Sequence, residues 1–137
     1  MEQGSDWPSA GIAGIGVDLI EISRIEKALQ RSGERFRQRI FTPLERAYCE
    51  GKAQPQASYA ARFAAKEAVL KALGTGVSAG VSFTDVEVYQ KQGGAPGVRL
   101  FHHAATTAQE KGITAVKLSL AHDRGRAIAF AIALTGE

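Results

Sequence analysis

The residues with the clearest chemical potential lie in one stretch of the sequence, residues 62–76, which reads RFAAKEAVLKALGTG. Its apolar spacing predicts a helix that runs into a glycine-rich loop. Phe63, Glu67 and Leu70 are four and three residues apart, so they share one helical face. Glu67 therefore lies within an apolar stripe, where a bare carboxylate is costly unless it is compensated. With Lys71 one turn further on, the stretch indicates a site for a metal ion and phosphate groups.

The same stretch has a purely structural alternative. Glu67 and Lys71, at positions i and i+4, can form an ordinary helical ion pair worth roughly a few tenths of a kcal/mol. Gly74 can simply end the helix in a left-handed conformation. On this stretch alone the two interpretations are equally supported, so other parts of the chain have to separate them.

A second carboxylate of interest, Asp18, lies near the end of a predicted strand over residues 12–20. Asp18 and Glu21 fit a capping box at the start of the next helix, and for this motif alone that is the stronger interpretation. The functional hypothesis is that Asp18 and Glu67 converge on one Mg²⁺ ion. Magnesium typically takes one or two carboxylates together with waters and substrate phosphate oxygens. The sequence offers no Cys/His cluster for zinc.

A histidine, His122, closes a predicted strand over residues 115–121. A lone histidine at a strand end is more often structural, but it can also donate to a phosphate near the end of the sheet. His102 and His103 show no supporting pattern, and we interpret them as structural.

The composition bounds the class of protein. With 137 residues, 45% of them hydrophobic, we expect one domain over residues 11–137 and a flexible extension over residues 1–10. The single cysteine, Cys49, excludes an intramolecular disulfide and favours a reducing compartment. No apolar run reaches the roughly 20 residues of a membrane span, and the N-terminus lacks a signal-peptide pattern. We expect a cytoplasmic protein without a membrane partner.

Basic residues crowd the stretch between residues 24 and 46, although the net charge is only +3. A continuous helix would align four of these side chains in one stripe: Arg24, Arg31, Arg35 and Arg39. Ser32-Gly33 is expected to interrupt that helix. Such a stripe is usually a solvated helix face, and the functional alternative is a docking surface for an acidic protein or a nucleic acid.

Hydrophobic periodicity predicts the remaining elements and an α+β fold, a small antiparallel sheet packed by helices. Helices are expected from about residue 21 and over residues 42–50, 57–73 and 103–111. Strands are expected over residues 12–20, 82–91, 97–101, 115–121 and 126–134. In the last strand large apolar residues alternate with alanines, which predicts one well-filled face and one face that a helix can approach closely.

Four motifs occur in a fixed order along the chain: GIGVDLIEI (residues 14–22), RFAAKEA (62–68), KALGTG (71–76) and LSLAH (118–122). In this order and at these separations they resemble the motifs of holo-(acyl-carrier-protein) synthases, the short bacterial type of 4′-phosphopantetheinyl transferase. The resemblance runs from about residue 14 to residue 134, nearly the whole chain.

This resemblance implies transfer of 4′-phosphopantetheine from coenzyme A to a serine of apo acyl carrier protein, with release of adenosine 3′,5′-bisphosphate. It implies Mg²⁺ held by Asp18 and Glu67 against the pyrophosphate, with Lys71 as a further positive charge in catalysis. The base that deprotonates the serine stays open between Glu67 and a water held by the metal. The coenzyme A phosphates would be lined by Arg62, Lys66, Lys71, Gly74, Thr75 and His122. For Lys66, a position in solvent is the alternative.

The resemblance also implies a homotrimer with active sites between subunits, and the alanine-lined last strand would suit such an interface. In this family, positions matching Arg24, Arg35 and Arg39 face the acidic helix of the carrier protein. One departure is the turn over residues 93–96, which commonly reads Asn-Gly-Lys-Pro and here reads GGAP. Without this lysine, the resemblance does not extend to the contact that it would make with coenzyme A or within the fold. The N-terminal extension is also longer than usual.

Two other functions compete with this one. A non-catalytic basic module for an acidic protein or nucleic acid would explain the arginines but not Glu67 in an apolar stripe. It would also lack the interleaved aromatic residues of a single-strand binder, so we expect no nucleic-acid partner. A transferase of the same superfamily that modifies carrier domains of polyketide or peptide synthases is the nearer alternative. The short chain and the opening motif favour the fatty-acid type.

Overall fold

The computed structural model describes residues 11–77 and 80–136, so the extension expected over residues 1–10 lies outside it. The strands are β1 (Ile12–Glu21), β2 (Val86–Gln90), β3 (Pro96–Leu100), β4 (Ile113–His122) and β5 (Arg126–Thr135). The helices are α1 (Ile22–Ile40), α2 (Pro43–Glu50), α3 (Pro55–Leu73) and α4 (His102–Glu110), and a 3₁₀ turn precedes β2 at Phe83–Asp85. The predicted elements are present with shifted ends, and the expected α+β fold is confirmed.

Two antiparallel sheets hold the strands, a three-stranded sheet in the order β1-β5-β4 and a separate β2-β3 hairpin. In the larger sheet Asp18 pairs with Ala129, and Ala129 in turn pairs with Leu120. The connection between β4 and β5 is tightened by Asp123, whose Oδ1 accepts the backbone N–H groups of Gly125 at 2.9 Å and Arg126 at 2.8 Å. These side-chain-to-backbone bonds stabilise the short turn between the two strands.

Helix α3 lies directly on the three-stranded sheet because the facing residues are small. A Cβ atom placed on Gly16 would lie 1.9 Å from the carbonyl oxygen of Ala68, and one on Gly14 would lie 2.0 Å from that of Ala72. The alanines that alternate along β5 are fully buried beneath the same helix: Ala127, Ala129, Ala131 and Ala133. The predicted face for close helix approach is therefore confirmed.

The opposite face of this sheet is apolar and exposed. Ile15 is 56% exposed and Phe130 is 46% exposed, and they are joined by Ile12, Val17, Leu19 and Ile128. The sequence interpretation that alanines would suit a subunit interface is wrong, because α3 covers them. The large side chains of β1 and β5 form the uncovered face instead.

Helix α1 is broken at Gly33, whose φ of 47° and ψ of −115° are not helical. Arg24 and Arg31 lie before this break, and Arg35 and Arg39 lie after it, so the interruption of the basic stripe is confirmed. All four side chains are exposed.

Within the described residues, no helix is both long enough and apolar enough to cross a membrane. The buried apolar side chains form one continuous cluster around α3. Cys49 is a free, buried thiol, and burial raises its pKa to about 12.

Replacing Gly16 by alanine tests the helix–sheet contact. The new methyl group would overlap the Ala68 carbonyl oxygen, which belongs to the backbone and cannot rotate away, so α3 or β1 has to shift. We expect Gly16→Ala to lower the free energy of unfolding by about 2 kcal/mol or more in urea titrations.

Gly125→Ala is the matched control, because a Cβ at Gly125 meets nothing within 4 Å. Its stability should stay within about 0.5 kcal/mol of the parent protein. Equal stabilities of the two variants would contradict the close approach of α3 to β1.

Candidate active site

Asp18 lies within β1, and its carboxylate faces α3. The strand continues through Glu21, which is the N-cap of α1 and makes no side-chain capping bond. The capping-box interpretation of Asp18 and Glu21 is therefore wrong. Pairing of Glu21 with Arg126 across the sheet keeps this segment extended, which overrides the local capping signal.

Lys71 reaches from α3 to β1. Its Nζ lies 3.3 Å from Asp18 Oδ1 and donates to the Val17 carbonyl oxygen at 2.9 Å. Among the described residues its ion pair is with Asp18, so the ordinary i, i+4 pair with Glu67 is not formed. Half of the Lys71 side chain is exposed, which leaves the ammonium group accessible to an anionic ligand.

Glu67 is half-buried one turn before Lys71 on the same side of α3. Burial raises its pKa, the negative charge of Asp18 raises it further, and Lys71 opposes the shift. The two carboxylates are thus close enough to repel each other. The structure brings together Asp18, Glu67 and Lys71 from two elements that are distant in sequence.

The donor set at this position suits a hard divalent cation. Two like-charged carboxylates held together are relieved by a bound cation. Within residues 11–77 and 80–136, no group of three or more His, Cys, Asp or Glu side chains could hold a metal ion. Two carboxylates alone match Mg²⁺, which keeps its other positions for water and phosphate oxygens. A zinc or calcium cage would need more protein ligands.

The glycine loop after α3 begins as a helix terminus. Gly74 has a φ of 74°, and its N–H is bonded back to the last turn, while the N–H of Thr75 donates to the Leu70 carbonyl oxygen at 3.0 Å. The structural role proposed for Gly74 is confirmed. Lys111, which sequence analysis missed, donates from Nζ to the Leu73 carbonyl oxygen at 2.5 Å. No spacing pattern distinguishes Lys111 in the sequence.

Arg62 and His122 line one cavity of about 250 Å³ together with Tyr48. Arg62 is only 6% exposed, and its guanidinium group lies 3.8 Å from the centre of the Tyr48 ring. Among the described residues it has no carboxylate partner, and its Nε is buried without a hydrogen bond. A nearly buried, unpaired cation is unfavourable by itself, so this cavity favours an anionic ligand.

Lys66 lies in the protein interior, not at the surface of a site. It is 0% exposed, its Nζ lies 2.7 Å from Glu45 Oε1, and it donates to the Val86 carbonyl oxygen. Burial lowers the pKa of Lys66, and the ion pair with Glu45 opposes that shift. Because Lys66 is buried and paired with Glu45, it does not line a coenzyme A site. Its alternative position in solvent is also wrong.

The two groups of candidate residues lie on opposite sides of α3. Nine residues separate Arg62 from Lys71, which at about 100° per residue is a rotation of roughly 180°. The sheet packs against α3 between these two sides. Asp18, Glu67 and Lys71 therefore form one half-site, and Arg62 with His122 forms another.

The basic residues of α1 lie near the first half-site. Arg24 and Arg31 border a cavity of about 370 Å³ between α1 and α3, with Phe63 among its apolar residues. Phe63 precedes Glu67 by one helical turn. Arg35 and Arg39 extend the exposed positive surface beyond the break at Gly33. Two neighbouring arginines are already paired within the chain, Arg37 with Glu50 and Arg46 with Glu34.

A family model of the 4′-phosphopantetheinyl transferase superfamily matches residues 14–131. The holo-(acyl-carrier-protein) synthase of Desulforudis audaxviator is 52% identical over 123 residues, which cover 90% of this chain and 93% of that protein. The solved structure of the holo-(acyl-carrier-protein) synthase from Neisseria meningitidis has a TM-score of 0.81 and 35% identity, covering 90% of this chain and 98% of that one.

A solved structure of the Helicobacter pylori holo-(acyl-carrier-protein) synthase in complex with coenzyme A has a TM-score of 0.77 and 34% identity. The structural match covers 87% of this chain and 98% of the Helicobacter pylori chain. These matches span nearly the whole sequence, as the four ordered motifs predicted. The chain belongs to the 4′-phosphopantetheinyl transferase superfamily, as a member of its holo-(acyl-carrier-protein) synthase family.

Proposed function

We propose that this protein transfers 4′-phosphopantetheine from coenzyme A to a serine of apo acyl carrier protein and releases adenosine 3′,5′-bisphosphate. The observation that carries the proposal is the half-site of Asp18, Glu67 and Lys71, in which two carboxylates and an accessible ammonium group meet at the surface. The names of the relatives and the coenzyme A complex of the Helicobacter pylori protein support the same assignment.

The obstacle in this reaction is negative charge. A weakly acidic serine hydroxyl must attack a phosphorus atom of an anionic pyrophosphate, and the leaving group is also anionic. Asp18 and Glu67 would hold Mg²⁺, which when bound neutralises charge that develops on the pyrophosphate oxygens. Lys71 adds a positive charge from the chain itself. Its anchoring by the Val17 carbonyl oxygen orients the ammonium group before substrate arrives.

The second half-site would bind a phosphate of coenzyme A at some distance from the reacting phosphorus. Arg62 supplies an unpaired guanidinium group, and His122 adds a donor at the end of β4. An anion in this cavity would compensate the nearly buried charge of Arg62. Gly74 and Thr75, at the C-terminal end of α3, are also proposed to lie beside the phosphates. The positive charges of Lys71 and Lys111 at this end of α3 offset the negative end of the helix dipole.

A homotrimer would bring the two half-sites together. Because Arg62 and Lys71 lie on opposite sides of α3, a single coenzyme A molecule that uses both needs a second copy of the chain. The exposed apolar face formed by β1 and β5 offers a surface on which copies can pack. We place the complete active site between neighbouring subunits. We also place the reaction in the cytoplasm, because a reducing compartment keeps a free thiol such as that of Cys49 reduced.

Arg24, Arg35 and Arg39 would dock the acidic carrier protein beside the first half-site. This is electrostatic steering, which raises the association rate and weakens with salt. A carrier domain of a polyketide or peptide synthase is the second candidate acceptor. The names of the relatives favour the acyl carrier protein.

The first test is the intact mass of an apo acyl carrier protein after incubation with this protein, coenzyme A and Mg²⁺. We expect a gain of one phosphopantetheinyl group, and no gain in excess chelator. Glu67→Gln keeps the side-chain shape but removes one of the two negative charges, so turnover should fall about 100-fold or more.

Glu110→Gln serves as the control, because Glu110 is an exposed residue at the end of α4. It should transfer at the parental rate, and both variants should unfold at the parental urea concentration. Near-normal turnover of Glu67→Gln at ordinary Mg²⁺ concentrations would contradict the metal assignment.

Reversal of charge at Arg24 tests the docking surface. We expect Arg24→Glu to raise the KM for the carrier protein at least about tenfold, because opposing charges become like charges at the interface. The KM for coenzyme A should change little, and the difference should shrink as salt is added. Equal effects on both substrates would argue against docking at α1.

Mixing of two inactive variants tests the shared site. Glu67→Gln and Arg62→Gln each damage a different half-site, so a mixed oligomer contains some sites with both halves intact. Random mixing should restore about one quarter of the parental activity, since each site in a ring joins two neighbouring subunits.

Asp18→Asn mixed with Glu67→Gln is the control, because both changes lie in the same half-site. This mixture should stay inactive. If the first mixture also stays inactive after joint refolding into oligomers, the two half-sites do not serve one substrate across an interface.

A further inference from the structure

Tyr48 on α2 carries two cations on its ring, and neither the sequence motifs nor the relatives assign it a role. The guanidinium group of Arg62 lies 3.8 Å from the ring centre, and the ammonium group of Lys52 lies 4.6 Å from it. Tyr48 also lines the cavity that contains Arg62 and His122. Its hydroxyl group forms no hydrogen bond with the residues that the structure describes.

The aromatic ring is the partner that holds Arg62 in place. Among the described residues Arg62 forms no ion pair, so its contact with the face of the Tyr48 ring is what holds the guanidinium group. A carboxylate in this position would occupy the N–H donors and neutralise the charge. An aromatic face attracts the cation while the donors in the guanidinium plane stay available for an oxyanion.

Two parallel contacts between α2 and α3 support this arrangement. Glu45 and Lys66 form the buried ion pair between the helices, and Tyr48 and Arg62 lie about one turn away from them on the same two helices. Glu45 also accepts the N–H of Val88 at 2.7 Å and caps α2 through Thr42. The ion pair therefore fixes the spacing of the helices, and the ring fixes the guanidinium group.

We propose that Tyr48 is a positioning residue that orients Arg62 toward a coenzyme A phosphate without neutralising it. This inference rests on the proposed function, in which the cavity of Arg62 and His122 binds coenzyme A. The ring acts through its face, and the hydroxyl group is dispensable.

The test compares Tyr48→Leu with Tyr48→Phe. Leucine fills space but has no aromatic face, so the KM for coenzyme A and its Kd in calorimetry should rise roughly 3- to 30-fold, the range of a cation–π contact. The kcat should stay within about twofold, because Arg62 is proposed to bind a phosphate at some distance from the reacting phosphorus. Phenylalanine keeps the ring face and should restore parental values.

A double-mutant cycle separates positioning from a general structural effect. In an Arg62→Gln background, Tyr48→Leu should cause no further rise in the Kd for coenzyme A, because the group through which it acts is gone. Additive effects, an unchanged Kd in Tyr48→Leu, or a Tyr48→Phe variant as weak as Tyr48→Leu would each overturn the proposal. Calorimetry with coenzyme A needs no carrier protein, so it tests Tyr48 separately from phosphopantetheine transfer.

Discussion

The close contact of α3 with the three-stranded sheet is the constraint on which the site depends. Gly16 allows the Ala68 carbonyl oxygen to approach β1 to a distance that excludes any side chain. Asp18 lies two residues beyond Gly16 on the same strand face, and Lys71 lies less than one helical turn beyond Ala68. The backbone contact thus sets the distance between the two backbone positions from which Asp18 and Lys71 reach each other.

On its far side α3 is held by polar groups instead of small ones. The pair of Glu45 and Lys66 is fully buried, and such a pair adds little net stability because desolvation offsets the attraction. Its value lies in geometry, since an ion pair and its hydrogen bonds have few acceptable arrangements. Small residues on one side and an ion pair on the other fix α3 in rotation as well as in position.

The helices could be predicted from the sequence because their local signals are strong. Thr42 caps the start of α2, Gly74 ends α3, and Gly33 interrupts α1. The errors have long-range causes. Asp18 stays in a strand because pairing with β5 continues past it, and nothing local reports that pairing. The family resemblance implied that Lys66 lines the coenzyme A phosphates, but a rotation of about 100° per residue turns it away from Glu67 and toward Glu45.

Other features could not be found because they depend on partners remote in sequence. Tyr48 gains its importance from Arg62, and no periodicity connects them. The alternation in β5 predicted that a helix would approach the alanine face, but not that the opposite face of large side chains would stay exposed. Hydrophobicity alone points to the large side chains, whereas the helix covers the glycines and alanines because only they let its backbone approach.

The burial of α3 also has a consequence for the timescale of motion. Its central residues, among them Ala64, Ala68 and Val69, are completely buried, so their amide protons should exchange with solvent only when the whole domain opens. The side chains of α3 that are proposed to bind coenzyme A therefore extend from a helix whose backbone should open to solvent only rarely. Arg35 and Arg39, beyond the helix break at Gly33, have exposed side chains instead. The two proposed roles, chemistry on α3 and docking on α1, therefore lie on elements that differ in how deeply they are buried.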